Sequence, residues 1–330
     1  MNMFTNHRIL FGTSFALFAF LTLVVAIMPA ITNQKNNAPL PGTADLTADQ
    51  LAGKQVFIAN GCVACHTQQV RNVAMDKAWG ERPGIAADYA RITRTDFWRN
   101  TATLMGTERT GPDLSNVGIR QGSLAWNLVH LYQPRAVVSE SIMPAYPWLF
   151  ELKDQVAAGE IEVSIPSKFN PTNKKIVAKK EALQLVSYLQ SLKQTELPEA
   201  PSFLYAEEEQ EAKPGYSIQL PDGQQLYAKN CAPCHQTNGE GLPGAFPPLK
   251  GSSVVLGDDL ELFVNIIMLG YDARPEYAVM NAVGLNNKLS AAEVTAIINH
   301  ERNSWGNRAK PVDAEQVKNM MDFIKKTKTP

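Results

Sequence analysis

All four cysteines of this 330-residue chain fall in two copies of one five-residue pattern, C-x-x-C-H. It occurs as Cys-Val-Ala-Cys-His at residues 62–66 and as Cys-Ala-Pro-Cys-His at residues 231–235. Two thiols three residues apart on a helical turn match the two vinyl groups on one edge of a porphyrin, and the adjacent His then reaches the iron. The pattern therefore predicts two covalently bound haem c groups. The residues assigned to attachment are Cys62, Cys65, Cys231 and Cys234, with His66 and His235 as proximal iron ligands.

Other uses of paired cysteines fit this sequence poorly. A zinc ribbon places its two C-x-x-C pairs about 15–20 residues apart, whereas half of the chain separates Cys65 from Cys231. A thioredoxin-like site needs one C-x-x-C beside a βαβ pattern, and the sequence shows no such pattern. A disulfide across each pair would leave both adjacent histidines without a role.

The second axial ligand of each iron is less constrained by the sequence than the first. A Met thioether raises the potential of a haem relative to bis-His ligation and suits an electron carrier. We assign Met143, in a loop flanked by prolines, to the first iron and Met280, before the closing helix of the second half, to the second. The alternatives are Met75, Met105 and His130 for the first iron and Met268 for the second, and His300 is expected to be a packed or surface residue.

The segment from Ile9 to Ile31 contains no charged residue. As a helix it is about 35 Å long at about 1.5 Å per residue, which is enough to cross a hydrocarbon core of about 30 Å. A cleaved secretory signal would have a shorter apolar region and a small-residue cleavage site. Arg8 precedes the segment and the more distant Lys35 follows it, so the N-terminus is expected in the cytoplasm. The sequence thus predicts a single-pass anchor in the cytoplasmic (inner) membrane, with the haem domains on its periplasmic, outer face.

The order helix, cysteine motif, irregular middle and closing helix occurs twice along the chain, and alternating strand patterns are scarce. The chain is therefore expected to be mostly α, with one N-terminal transmembrane helix followed by two cytochrome c domains. The helices are predicted at Leu46–Asn60 with Thr47 as cap, Lys180–Lys193, Gly223–Asn230, Ser290–Trp305 and Asp313–Lys326. The expected organisation is an anchor at residues 1–35, a first cytochrome c domain at 45–195, an acidic and proline-containing linker at 196–214 and a second cytochrome c domain at 215–330.

Charge and motif content exclude several other functions. Lys plus Arg number 31 and Asp plus Glu number 32, so there is no basic excess to bind nucleic acid. We find no Ser-His-Asp grouping, phosphate loop or supported pair of carboxylates, and we predict no catalytic site in this chain. Four arginines are candidates for pairing with haem propionates, although solvated surface positions are the preferred interpretation. They are Arg71, Arg109, Arg120 and Arg135.

Three segments of the first half resemble a known family. They are GCVACHTQQVR at 61–71, RTGPDLSNVGIR at 109–120 and HLYQPRAVVSESIMPAYPWL at 130–149. They are similar to subunit II of the cbb-type cytochrome c oxidases, the C-family haem–copper oxygen reductases, and the resemblance covers about residues 5–195. It implies that the first motif holds a haem with Met143 as axial ligand. It also implies that electrons pass to a haem b in a large membrane-embedded catalytic subunit.

The chain departs from that family at two places. The family subunit usually ends after one haem domain, and an aromatic residue is common where this chain has Val63. The second half resembles a small cytochrome c domain over residues 231–252 and 289–307. There Asn281 follows Met280, where a proline is usual. A fusion of two electron-transfer domains is the simplest explanation.

The resemblance implies a dihaem electron-transfer subunit of a terminal oxidase. It would take electrons from a soluble or membrane-bound donor and pass them to a haem–copper catalytic subunit, in a complex with the other oxidase subunits. Three alternatives are an electron-transfer subunit of a nitric oxide reductase, the cytochrome c subunit of a periplasmic dehydrogenase, and a haem-based gas sensor.

Overall fold

The computed structural model describes residues 6–36, 38–90, 103–197 and 220–328, and most of their regular structure is helical. Its α-helices are α1 His7–Asn36, α2 Ala48–Ala59, α3 Val117–Arg120, α4 Leu124–Tyr132, α5 Lys180–Ser191, α6 Gly223–Asn230, α7 Ala232–His235, α8 Ser253–Leu256, α9 Leu260–Leu269, α10 Val283–Asn286, α11 Ala291–Asn303 and α12 Ala314–Lys328. Short 3-10 helices lie at Cys62–Ala64, Ala74–Ala78, Ala86–Tyr89, Pro134–Ala136, Pro147–Leu149 and Ser167–Phe169.

The chain forms two compact units. The first comprises residues 1–45, 63–115 and 194–207, and the second comprises residues 46–62, 116–193 and 208–330.

The helix α1 contains the uncharged segment that the sequence assigned to a membrane anchor. It begins after Asn6, whose side-chain oxygen accepts hydrogen bonds from the backbone N–H groups of Arg8 and Ile9 at 3.1 and 3.4 Å. A π-helical stretch at Thr22–Ile27 lies inside it, and none of its residues is buried by the rest of the protein. The helix is long and apolar enough to cross a membrane.

The helix α2 begins at Thr47, the cap that the sequence predicted, and its backbone contacts that of α5 where the two helices cross. Thr47 and Gln50 form a reciprocal capping box, with N···O distances of 3.2 and 2.9 Å. Gly53 lies at the crossing, where a Cβ would be 1.9 Å from the backbone oxygen of Gln184 on α5. Because glycine has no Cβ, the two helices can contact each other backbone to backbone.

The C-terminal half repeats this arrangement with α6 and α11. A Cβ on Gly223, the first residue of α6, would lie 2.2 Å from the backbone oxygen of Ala296 on α11. The helix α11 begins at a capping box formed by Ser290 and Glu293. Each half therefore has an N-terminal and a closing helix in contact at a glycine, which agrees with the duplication predicted from the order of the parts.

The core of the C-terminal half lies among α9, α11 and α12. Val264, Ile297 and Val317, one from each of these helices, are completely buried. This packing places α11 and the loop before it beside the second cysteine motif.

One pair of short antiparallel strands was not predicted from the sequence. Its strands are β1, Phe150–Lys153, and β2, Lys175–Ala178, with Phe150 opposite Ala178. Four-residue strands are too short to show an alternating pattern, and their pairing depends on contacts between distant parts of the chain. The fold is nevertheless mostly α, as predicted. The predicted linker at 196–214 lies outside the described residues except for its first two positions.

Candidate haem-binding sites

The histidine of each motif is oriented by a proline carbonyl. Nδ1 of His66 lies 2.8 Å from the backbone oxygen of Pro112, and Nδ1 of His235 lies 2.9 Å from that of Pro247. A carbonyl only accepts, so Nδ1 carries the proton and Nε2 presents its lone pair to a metal. Burial also lowers the pKa of both imidazoles, which favours the neutral form that binds iron. Both imidazoles therefore leave Nε2 unprotonated and able to bind a metal.

Sequence reasoning missed these two prolines. Each begins a Pro-x-Leu sequence, Pro112-Asp-Leu in the first half and Pro247-Pro-Leu in the second. The Pro-x-Leu sequence shared by the two halves was the available signal. However, Pro112 lies much farther along the chain from His66 than Pro247 does from His235. Only the folded chain shows that both carbonyls reach the same ring atom.

The turn after His66 is held by the segment that contains Pro112. The buried carboxylate of Asp113 accepts hydrogen bonds from the Thr67 hydroxyl and, at 2.8 Å, from the backbone N–H of Gln69. The backbone N–H of Gly111 donates to the carbonyl of Cys65 at 2.9 Å. The segment therefore fixes the first motif from both sides of its histidine.

An ion cluster around Asp76 holds the same region. Arg71 donates to this fully buried carboxylate from its backbone N–H at 2.7 Å and from its side chain at 3.1 Å, and Arg109 donates from its side chain. Burial alone would raise the pKa of Asp76, but the hydrogen bonds from Arg71 and Arg109 outweigh it and lower the pKa to about 2. The surface interpretation is wrong for Arg109, whose side chain is only 14% exposed because it pairs with Asp76.

We expect Asp76→Asn to destabilise the protein by roughly 1–3 kcal/mol at pH 7, because two guanidinium groups lose their anionic partner. The folded pKa of Asp76, about 2, lies below its ordinary value of 3.8. The stabilisation is therefore fully present above about pH 4 and is lost as the pH falls through about 2. Thermal unfolding of both proteins between pH 7 and pH 2.5 measures this.

The matched control is Asp322→Asn, which removes an exposed ion pair with Lys318 and is expected to change stability by less than about 1 kcal/mol. A difference between wild type and Asp76→Asn that stays constant down to pH 2.5 would contradict the proposed role of the carboxylate.

The residues assigned to the first haem are divided between the two compact units. Cys65 and His66 belong to the first unit, whereas Cys62 and Met143 belong to the second. Met143 is half-buried in an irregular loop, and its backbone N–H donates to the Ser141 hydroxyl at 3.3 Å.

The alternative ligands of the first iron are placed as follows. The side chains of Met75 and Met105 are 68% and 37% exposed. The ring of His130 stacks on that of Trp126, with centroids 4.5 Å apart and an angle of 11° between the planes. This stacking already occupies one face of the imidazole.

The second motif lines an apolar cavity that also contains its predicted axial ligand. Cys231, Cys234, His235 and Met280 all line it, together with apolar side chains that include Phe246, Val255, Ile267, Leu289 and Ile297. None of the four cysteines forms a disulfide bond. Burial raises the pKa of the Cys234 thiol to about 12 and that of Cys231 well above its usual value. Two half-buried cysteines beside a histidine and a thioether on an apolar cavity fit the attachment of haem c.

Met280 lies in the wall of the second cavity, whereas Met268 and His300 are packed against other side chains. Met280 is held by a backbone bridge to Tyr271, with N···O distances of 3.0 and 2.9 Å. Met268 is 1% exposed and belongs to the hydrophobic core of the C-terminal half. His300 packs against the rings of Tyr227 and Trp305, as expected for a structural residue.

One residue of this cavity was missed by sequence reasoning. Glu301 lines it, is buried and is hydrogen-bonded to Cys231. Burial raises the pKa of Glu301 to about 8, so its carboxyl group is largely protonated at neutral pH. It lies on α11 among residues whose pattern predicts only an amphipathic helix, so no local signal identified it.

Comparison with known proteins assigns each half to a family. Residues 2–198 match the family described as cytochrome C oxidase, mono-heme subunit/FixO, and residues 220–328 match the family described as cytochrome c. The second match agrees with individual relatives. A cytochrome c-552 of Thermus thermophilus is 34% identical over 117 residues, which is 32% of this chain and 78% of the relative.

Another similar protein is the cytochrome c subunit of alcohol dehydrogenase (quinone) from Gluconobacter oxydans (strain 621H). It is 38% identical over 90 residues, which is 26% of this chain. The chain spans about a fifth of the length of this relative, 19%. Because both halves match haem-binding families and both carry C-x-x-C-H, the chain binds two haem c groups covalently. The FixO match extends over more than half of the 330 residues, and the chain therefore belongs to the family of the mono-haem subunit FixO of cytochrome c oxidase, extended by a C-terminal cytochrome c domain.

Proposed function

We propose that this chain passes electrons from a soluble or membrane-bound donor to the haem–copper catalytic subunit of a cbb-type terminal oxidase. The observation that carries this proposal is the FixO match over residues 2–198. Each haem iron supplies one-electron chemistry when bound, by alternating between its ferrous and ferric states. Oxygen reduction itself takes place in the partner subunit, and this chain contributes no catalytic residue.

The side chains of this protein have distinct roles in that function. The cysteines of the two motifs would hold the haems by thioether bonds, and His66 and His235 would bind iron through Nε2, which the hydrogen bonds to Pro112 and Pro247 leave unprotonated. Met143 and Met280 would supply the second protein ligand of each iron. The common cavity of His235 and Met280 supports the second assignment.

The organisation of the chain follows from the same proposal. Residues 1–35 anchor it in the cytoplasmic membrane, and the haem domains at 45–195 and 215–330, joined by the linker at 196–214, lie on the periplasmic side. The family matches at 2–198 and 220–328 support these limits. Electrons enter through the C-terminal domain and leave through the FixO region, because the FixO region carries both the anchor and the likeness to an oxidase subunit.

The decisive experiment purifies the complex from native membranes through a tag on this chain, identifies the partners by mass and measures turnover. We expect a haem–copper subunit to co-purify and oxygen to be consumed. Turnover of nitric oxide in place of oxygen would overturn the oxidase assignment in favour of a nitric oxide reductase. A quinoprotein or flavoprotein partner would indicate a dehydrogenase instead, and carbon monoxide binding to the intact reduced haems would indicate a sensor.

We expect Met143→His to lower the midpoint potential of the first haem, because bis-His ligation gives a lower potential than Met/His ligation. The shift lies within the about 0.8 V range over which axial ligands set haem potentials. Redox titration followed by visible absorption measures it. Met75→His, at a position that is 68% exposed, is the matched control and is expected to leave the potential unchanged. An unaltered spectrum and potential in Met143→His would exclude Met143 as the ligand.

A further inference from the structure

A short part of the FixO region lies against the haem-attachment turn of the C-terminal domain, within the second unit. We call residues 119–126 the contact segment. Nε1 of Trp126 donates a hydrogen bond to the backbone oxygen of Pro233 at 2.9 Å. Pro233 is the third residue of the second C-x-x-C-H motif. The Trp126 indole of the FixO region is thus hydrogen-bonded to the haem-attachment turn of the C-terminal domain.

Further contacts join the same two parts of the chain. Gln121 lies beside Cys234, and its side-chain amide is placed to donate to the cysteine sulfur. Asn286 also reaches the backbone oxygen of Ile119, with Nδ2 at 3.5 Å. Arg120, Gln121 and Ser123 line the cavity that contains His235 and Met280. The FixO region therefore forms part of the wall of the second haem cavity.

The contact segment is fixed to its own domain. Nδ2 of Asn127 donates to the backbone oxygens of Gln121 and Ser123 at 2.9 and 2.8 Å. Nε2 of Gln190, on α5, donates to the backbone oxygen of Gly122 at 2.8 Å. Because residues 121–123 are hydrogen-bonded to Asn127 and to α5, the contact segment can move with the C-terminal domain only if α5 moves too.

We propose that the contact segment is a positioning element for the second haem. Trp126 and Gln121 hold the Cys231–His235 turn against residues 119–126, so that this turn and the contact segment form one docked pair within the second unit. This inference rests on the haem ligands assigned under the proposed function. Because the segment closes one side of an apolar cavity, it also limits the access of water to the second haem, which raises the potential of that haem.

The test uses the full-length chain with both haems attached, solubilised in detergent, and the variant Trp126→Ala. Hydrogen exchange measures the protection of the backbone N–H groups of residues 234–236, which are hydrogen-bonded within the turn, and redox titration measures the potential of each haem. We expect faster exchange at these amides and a lower potential for the second haem only, because the turn loses its hydrogen bond to Trp126 and water gains access. Trp148→Ala is the matched control, since the Trp148 indole donates to Asn60 at 2.9 Å and its residue is 56% exposed.

A second variant, Gln121→Leu, keeps the inference testable if Trp126→Ala does not fold. It removes the side-chain amide beside Cys234 while keeping a side chain of similar size in the wall, and we expect it to speed amide exchange at residues 234–236. Unchanged amide exchange and an unchanged potential of the second haem in the variant that folds would overturn the docking inference. A wild-type chain whose mass shows no haem on Cys231 and Cys234 would instead overturn the proposed function.

Discussion

Replacing Cys231 and Cys234 together by alanine is expected to remove one of the two haems and to stop the oxidation of the electron donor. Both thiols are at least partly buried and line the apolar cavity with His235 and Met280, so their loss removes both points of covalent attachment at this cavity. The mass of the denatured chain is expected to fall by one haem, and haem-dependent peroxidase staining is expected to fall by about half. Donor oxidation stops because electrons enter through this domain in the proposed order.

The matched variant replaces Cys62 and Cys65 by alanine. It is also expected to lose one haem, but the C-terminal haem is still reduced by the donor, and only transfer to the catalytic subunit fails. In each variant the haem that remains reports that the chain has folded. Full donor oxidation in the variant of Cys231 and Cys234 would reverse the proposed order of electron transfer, and an unchanged mass would contradict thioether attachment.

The variant Gly111→Ala is expected to break the bond between His66 and the first haem iron. A Cβ on residue 111 would lie 2.4 Å from Cε1 of His66, 2.8 Å from Nδ1 and 2.9 Å from Nε2. Real Cβ atoms do not approach other atoms so closely, so the imidazole must move. It would then lose its hydrogen bond to Pro112 and its alignment toward the iron. We expect the first haem to become high-spin and its midpoint potential to shift while the second haem is unaffected.

Visible absorption and electron paramagnetic resonance of the two haems measure this outcome. Gly12→Ala serves as the control, because a Cβ built on Gly12 meets no atom within 4 Å apart from its chain neighbours and the backbone of its own helix. A low-spin first haem with an unchanged potential in Gly111→Ala would show that the methyl group is accommodated without moving His66. That result would argue against the close contact on which the orientation of the histidine depends.

The expected effect of a methyl group at residue 111 depends on contacts that the sequence alone could not predict. Gly-Pro-Asp-Leu at 111–114 contributes to the resemblance, yet its physical role lies in contacts with residues 65–69, far away in the chain. The arginines near it were considered as partners of propionates or as surface groups. In the folded protein Arg109 pairs with Asp76, a carboxylate that the sequence did not single out.

The local features of this protein were determined by its sequence alone. The spacing of the residues in C-x-x-C-H specifies a haem c site, and the uncharged apolar segment specifies a helix able to cross a membrane. Capping residues such as Thr47 and Ser290 specify where helices begin. Each of these depends on atoms only a few residues apart. The tertiary structure alone decided which proline carbonyls orient the histidines, which glycines allow the helices to cross, and how Trp126 reaches Pro233. These contacts join residues that are distant along the chain, and only the packing of the whole fold brings their atoms together.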